Sequence, residues 1–167
     1  MSAEASSTGA SGTGASGAGE RRHVAVMHGV NLDQLGNRNK MIYGSMTLPE
    51  LERQIDGDAQ QLQLDTSFFQ SNHEGAFVEH LHSLRGSADG VLLNPGSWTH
   101  YAWAIRDALE IAEIPAIEIH LSDVENREQW RRFSVIRELC FAIVSGQGPD
   151  GYRGALTQMR EHLDGGA

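Results

Sequence analysis

Short apolar runs alternate along this chain with longer stretches whose apolar positions recur at helical spacing. The first run, His23 to Met27, reads as a strand; it breaks at Gly29, and a polar loop follows from Asn31 to Gly44. Leu48, Leu51, Ile55 and Leu62 then fall near one face of a helix predicted over Thr47 to Leu62. Thr47 is placed to cap its start, Glu50 completes a capping box, and Pro49 sits in the first turn. Gly57 weakens this helix slightly. The pattern goes on with a strand over Leu64 to Gln70, a helix over Glu74 to Arg85, and a strand over Gly90 to Leu93 that runs into Asn94-Pro95-Gly96. A helix over Thr99 to Ala112 leads through Pro115 to a strand over Ala116 to His120. Segment 123–137 is polar and Arg-rich, a loop with a short helical turn; a strand over Leu139 to Ser145 and a helix over Gly151 to Leu163 complete the chain.

Strands this apolar, alternating with helices, predict an α/β fold: a five-stranded parallel sheet with helices on both faces and right-handed crossovers. In such sheets the site lies beyond the carboxyl ends of the strands. That rule nominates His28 to Gly44, Asn72 to Gly75, Asn94 to His100 and His120 to Arg132. Residues 1–19 are Ser, Ala, Gly and Thr apart from Met1 and Glu4. A segment with so little to bury and so much chain entropy to lose is expected to be disordered, which sets a tail at 1–20 and a single domain at 21–167. The tail lacks the basic residue and apolar block of a secretory signal, and no run is long enough to span a bilayer.

Composition narrows the classes further. At 167 residues the chain has room for one domain, and 40% hydrophobic residues suffice for its core. A net charge of -9 argues against nucleic acid or an anionic membrane as partner. It leaves open a small anion, because local arginines decide that. One cysteine, Cys140, gives no intramolecular disulfide and no cysteine-rich metal site, which favours a reducing, cytoplasmic compartment. Its neighbours Leu139 and Phe141 are apolar, so a structural thiol is expected.

The nominated segments hold Asn31, Arg38, Tyr43, Asn94, His100, His120, Ser122, Arg127 and Arg131, with Glu118 two residues ahead of the last segment. Tyrosine, histidine and several arginines together suit acid–base chemistry on an anionic substrate. His28, His73, His100 and His120 stand at strand ends, but no HxH or HExxH spacing puts two of these four on one element. Neither GxGxxG nor GxxxxGK[ST] is present, and Ser145-Gly-Gln-Gly148 is a weak phosphate candidate beside the plainer reading of a strand-to-helix turn. No GxSxG supports a serine nucleophile.

Four segments, taken together and in register over roughly residues 24 to 160, resemble the type II 3-dehydroquinate dehydratases. They are His28-Gly-Val-Asn-Leu-Asp-Gln-Leu-Gly36 with Arg38 and Tyr43-Gly44; Gln70-Ser-Asn-His-Glu-Gly75; Asn94-Pro-Gly-Ser-Trp-Thr-His100 with Ile105-Arg-Asp107; and Glu118-Ile-His-Leu-Ser-Asp-Val124 with Arg127 and Arg131. The resemblance implies a flavodoxin-like fold, trimers arranged as a homododecamer, and no metal or organic cofactor. It implies an anti elimination of water from 3-dehydroquinate to 3-dehydroshikimate through an enolate, a step of the shikimate pathway of aromatic amino acid biosynthesis. Tyr43 matches the base. A free phenol titrates about three units above neutrality, so a neutral-pH base needs roughly 4 kcal/mol of preference for phenolate. A nearby guanidinium supplies such a preference in a water-poor site; Arg38 on the same loop is the first candidate and Arg127 the second. By the same resemblance Asn31 holds the enolate oxygen, with a water, and His120 is the general acid. Glu118 orients or tunes His120. Asn94, with backbone N–H groups near Leu121 and Ser122, holds the substrate carboxylate. Arg131 and His100 bind ring hydroxyls, and Asp107 reaches a neighbouring subunit's site.

The sequence also departs from the family pattern. The first motif usually reads Asn-Gly-Pro-Asn-Leu-Asn and here reads His28-Gly-Val-Asn-Leu-Asp33. Lys40 replaces a common Pro, Asp123 a common Asn, and Glu125-Asn126 a usual His-Ala. Asp33 or Asp123 near an anion pocket raises the alternative of a paralogue for an amino analogue of dehydroquinate. A non-catalytic flavodoxin-like binding module is the other alternative.

Overall fold

A computed structural model describes residues 21–165; the tail expected at 1–20 lies outside the described residues. Five parallel strands form one sheet in the order β2-β1-β3-β4-β5. The strands are β1 (Arg22–His28), β2 (Leu64–Gln70), β3 (Gly90–Asn94), β4 (Ala116–His120) and β5 (Ala142–Ser145). The helices are α1 (Lys40–Tyr43), α2 (Leu48–Gln61), α3 (Glu74–Ser83), α4 (Trp103–Ala112) and α5 (Gly151–Asp164). This strand order is the flavodoxin-like one, as the resemblance implied, and its direction of winding reverses between β1 and β3.

Alternation along each strand builds two cores. On β1, Val24 and Val26 face a layer made by Leu51 and Ile55 of α2 and Leu156 and Met159 of α5. Ala25 and Met27 face the opposite layer, made by Phe77 and Leu81 of α3 and Ile105 and Leu109 of α4. Strands covered on both faces are the reason the sequence runs read as continuously apolar. The start of α2 is fixed as expected: the Glu50 carboxylate accepts from the Thr47 backbone N–H at 2.8 Å and from its hydroxyl at 2.7 Å.

Most boundaries agree with the sequence reading to within one residue, and four features differ by more. The helix expected from Thr99 begins at Trp103, because Gly96–His100 forms a 3-10 turn after Gly96 takes φ 67°. The strand expected from Leu139 begins at Ala142, because Arg137–Leu139 forms another 3-10 turn. The Ser134 hydroxyl accepts the backbone N–H groups of Ile136 and Arg137 there, which turns the chain before it can extend. The second helix stops at Ser83 rather than Arg85. The loop read over Asn31 to Gly44 holds both a 3-10 turn, Leu32–Gln34, and helix α1.

Two glycines lock the loops that leave the sheet at the switch point. Any Cβ on Gly29 would collide with the Pro95 backbone, and one on Gly96 would meet the Val30 carbonyl at 2.6 Å. The Gly29 N–H donates to the Asn94 carbonyl at 2.8 Å. The carboxyl ends of β1 and β3 therefore touch backbone to backbone, and the side chains beyond them converge on one place.

Candidate active site

That place is a cleft of about 220 Å³, sized for a small molecule rather than a dinucleotide. Asn31 stands on its β1 side in the left-handed region, φ 64°, and its backbone N–H donates to the Asn72 side-chain oxygen at 2.8 Å. Asparagine tolerates that conformation and needs no glycine to reach it.

Tyr43 reaches the cleft from α1. This one-turn helix starts where the Asn39 side chain accepts the Met41 N–H at 3.0 Å and ends at Gly44, φ 73°. The Arg38 guanidinium lies over the Tyr43 ring, 3.7 Å from its centroid. Arg127 Nη1 donates to the Tyr43 phenol oxygen at 3.0 Å and to the Ser122 hydroxyl at 3.4 Å. The first-named arginine of the sequence reading thus meets the ring, and the second meets the oxygen. Burial opposes the Arg127 charge; the hydrogen bond and charge of Tyr43, with Glu128, outweigh it and leave Arg127 raised above its ordinary range. Glu128 joins two arginines, accepting from Arg131 Nε at 2.9 Å and lying 3.3 Å from Arg127 Nε.

β4 supplies the next part of the lining. Glu118 and His120 share a strand face, and His120 Nε2 lies 2.7 Å from Glu118 Oε1. The same oxygen accepts the Thr99 hydroxyl, and Glu118 Oε2 accepts the Ser134 hydroxyl at 2.8 Å. Burial works to raise Glu118; the donors His120, Thr99 and Ser134 outweigh it and hold the carboxyl below its ordinary range. An ionised Glu118 only accepts, so His120 Nε2 carries its proton and Nδ1 is the other ring nitrogen. Glu118 stands behind His120 and does not line the cleft itself.

His100 packs beside His120, ring centroids 6.4 Å apart and nearly parallel. Its Nδ1 lies 2.7 Å from the Phe133 carbonyl, which only accepts, so Nδ1 bears the proton and Nε2 is left as an acceptor. Burial, then the charges of His120 and Arg131, lower His100, which favours this neutral form. Trp130 closes this side, edge-on to His100 at 5.2 Å and under the Arg131 guanidinium at 4.0 Å. At the floor Asn94 is buried, with Leu121 and Ser122 beside it on the lining.

The cleft brings together Asn31, Arg38, Tyr43, Asn94, His100, His120, Leu121, Ser122 and Arg131. Arg127 and Glu118 adjoin it through Tyr43 and His120. Asp107 is exposed on α4 and does not line it. Neither do Asp33 and Asp123, the two carboxylates proposed for a substrate amine. Asp33 bonds Gln34 at 2.8 Å, and Asp123 is turned to cap Glu125 and to accept from Asn126. His28 lies beneath the cleft, fully buried.

Sequence reading missed Thr99, Ser134, Glu128, Trp130 and Tyr152. Only the spacing of Glu128 and Arg131 carried a local signal; the others act across elements. Among the described residues no group of three or more His, Cys, Asp or Glu side chains is placed to hold a metal ion. No helix among them is long and apolar enough to cross a membrane.

Comparison with known proteins agrees with this geometry. The family described as Dehydroquinase class II matches residues 22–160. A protein of Thermotoga neapolitana named 3-dehydroquinate dehydratase is 44% identical over 136 residues, which are 81% of this chain and 92% of that one. A protein of Verticillium alfalfae named catabolic 3-dehydroquinase is 41% identical over 140 residues, 84% of this chain and 93% of that one. The crystal structure of the type II dehydroquinase from Butyrivibrio crossotus superposes with a TM-score of 0.81 at 37% identity, covering 84% of this chain and 99% of the other.

Proposed function

Because the chain belongs to the dehydroquinase class II family, we propose that it is a hydro-lyase that converts 3-dehydroquinate to 3-dehydroshikimate through an enolate, with Tyr43 as the base. The observation that carries the residue assignment is the 3.0 Å hydrogen bond from Arg127 to the Tyr43 oxygen, in the same cleft that His120, paired with Glu118, lines. Together they offer a base and an acid in one cleft, the pair of groups that an elimination of water requires.

In this reading Tyr43 takes the proton next to the ketone. Arg127 at its oxygen and Arg38 over its ring supply positive charge where the phenolate carries negative charge. The enolate oxygen is held by Asn31, with a water. His120 acts as the imidazolium: its Nε2–H stays on Glu118 while its Nδ1 proton goes to the departing hydroxyl, which leaves as water, and exchange with solvent restores both residues. Glu118, fixed by three donors, orients the His120 ring. Asn94 and the backbone N–H groups at Leu121 and Ser122 take the substrate carboxylate. Arg131 and the acceptor nitrogen of His100 take ring hydroxyls.

The catalytic domain is residues 21–167, and we place the reaction in the shikimate pathway in the cytoplasm, the single unpaired Cys140 fitting a reducing compartment. A homododecamer built from trimers completes the reading. Trp103 and Phe133 are large apolar side chains exposed at 58% and 55%, and Asp107 lies one turn beyond Trp103 on α4. A subunit contact there would cover the aromatics and bring Asp107 to a neighbouring site; a monomer in light scattering would remove it.

The enone product absorbs in the ultraviolet, so turnover is read directly. Purified protein should generate that absorbance from 3-dehydroquinate, and Tyr43→Phe should reduce it by about 10² to 10⁴-fold. Undiminished activity in Tyr43→Phe would refute the mechanism.

A further inference from the structure

Beneath the floor of the cleft three buried polar side chains stand in line. Asn94 Nδ2 donates to the Tyr152 hydroxyl at 3.4 Å, and the Tyr152 hydroxyl lies 3.5 Å from His28 Nδ1. His28 Nε2 lies 3.8 Å from Glu52 Oε1 and has no hydrogen-bond partner. Exposure is 0% at His28, 1% at Tyr152 and 4% at Asn94, so all three side chains are buried.

Donor chemistry fixes the direction of the whole line. The Gly96 backbone N–H only donates and lies 3.3 Å from Asn94 Oδ1, so that atom is the amide oxygen and Nδ2 faces Tyr152. An amide nitrogen does not accept, so Tyr152 accepts from Asn94, and its own proton points to His28 Nδ1. His28 is then the tautomer with its proton on Nε2, aimed at the Glu52 carboxylate. One Asn94 N–H is committed to Tyr152, and the second is left for the cleft. Both contacts are at the long end of hydrogen bonding.

We propose that Tyr152, backed by His28, is a positioning residue that holds the Asn94 amide with its free N–H directed at the carboxylate of the substrate. This deepens the reading above and rests on Asn94 as the seat of that carboxylate. Without the Tyr152 oxygen the amide keeps only its Gly96 contact and is free to swing about it. His28 stands where the family's first motif commonly has Asn, so the back of this line is a property of this chain. The Phe68 ring lies parallel to the imidazole at a centroid distance of 6.4 Å.

The test uses the full chain and three variants, each checked for folding by thermal unfolding. Asn94→Ala is the reference. It should raise KM for 3-dehydroquinate roughly 10- to 100-fold, the range for a hydrogen bond to a charged group. Tyr152→Phe keeps the ring and removes only the hydroxyl; it should raise KM about 3- to 10-fold while kcat changes less than about twofold. Inhibition by an analogue carrying a primary alcohol in place of the carboxylate should not weaken in Tyr152→Phe, a selectivity that a general loss of packing would not produce. Tyr152→Phe combined with His28→Leu should raise KM no further than Tyr152→Phe alone, because the two act in series. Unchanged KM in Tyr152→Phe, with Asn94→Ala impaired, would overturn the positioning role. Unchanged KM in Asn94→Ala would overturn the carboxylate assignment and the proposal with it, leaving the Tyr43 mechanism to its own test.

Discussion

The Arg127 guanidinium donates to the Tyr43 oxygen at 3.0 Å while Glu128 holds its other edge at 3.3 Å. The cation is thus pinned from both sides at the atom that takes the proton. Arg127→Met removes the charge but keeps much of the stem. It should lower kcat by about 10²- to 10³-fold, as loss of a group facing developing charge does, with a smaller effect on KM. Steady-state kinetics over the substrate range decide this; a change confined to KM would reassign Arg127 to ground-state binding.

Glu118, itself fully buried, is the acceptor for Thr99, His120 and Ser134. Glu118→Gln replaces one acceptor oxygen with a donor, so one of the three donors loses its partner. The expected cost is about 1–3 kcal/mol of stability, together with a fall in kcat as the His120 ring loses its anchor. Urea denaturation beside kinetics separates the two effects. A variant as stable and active as the parent would contradict the arrangement.

Burial lowers His28 from 6.5 to about 4. Between those values the unfolded chain holds a proton on this residue that the folded chain does not. Stability is therefore unaffected above pH 6.5, falls as the pH drops through 6.5, and stops falling below about 4, for a total of about 3 kcal/mol. Tyr152 and Glu52 are the titratable groups that face the imidazole. Denaturant titrations at pH 7 and pH 5 should show a larger acid loss in the parent than in His28→Leu; equal losses would show that His28 does not carry the penalty.

A methyl group added at Gly29 has no room against the Pro95 backbone. Gly29→Ala should cost about 1–3 kcal/mol through overpacking and should separate the β1 and β3 loops, so KM rises as well. Unaltered KM and unfolding midpoint would mean that the two loops move apart without consequence.

Asp33 and Asp123 point away from the cleft. No carboxylate on its lining faces a substrate amine, so kinetics on 3-dehydroquinate and on its amino analogue should favour the former. A preference for the amine would require a loop arrangement different from this one.

How much of this was readable in advance follows from where each interaction lies. Local patterns reach the strands, the capping box at Thr47 and Glu50, and the pairing of residues 118 and 120 on one strand face, because these depend on neighbours in sequence. Tyr43 and Arg127 are far apart in the chain, and which arginine meets the phenol oxygen depends on α1, a helix too short to announce itself. In sequence Thr99 reads as a helix start; Gly96 at positive φ diverts it into a 3-10 turn, where its hydroxyl serves Glu118. Tyr152 looks like any core aromatic on α5, and only the fold puts its hydroxyl under Asn94.

The acid wall is strand β4 itself, whereas Tyr43 rides on a single helical turn outside the sheet, held by two arginines. Framework and reactivity therefore meet at a seam here. Segment 37–46 brings the base and Arg38, while Arg127 and the core under Tyr43 and Met46 come from elsewhere in the chain, so a change in this stretch tunes turnover only together with the partners that receive it.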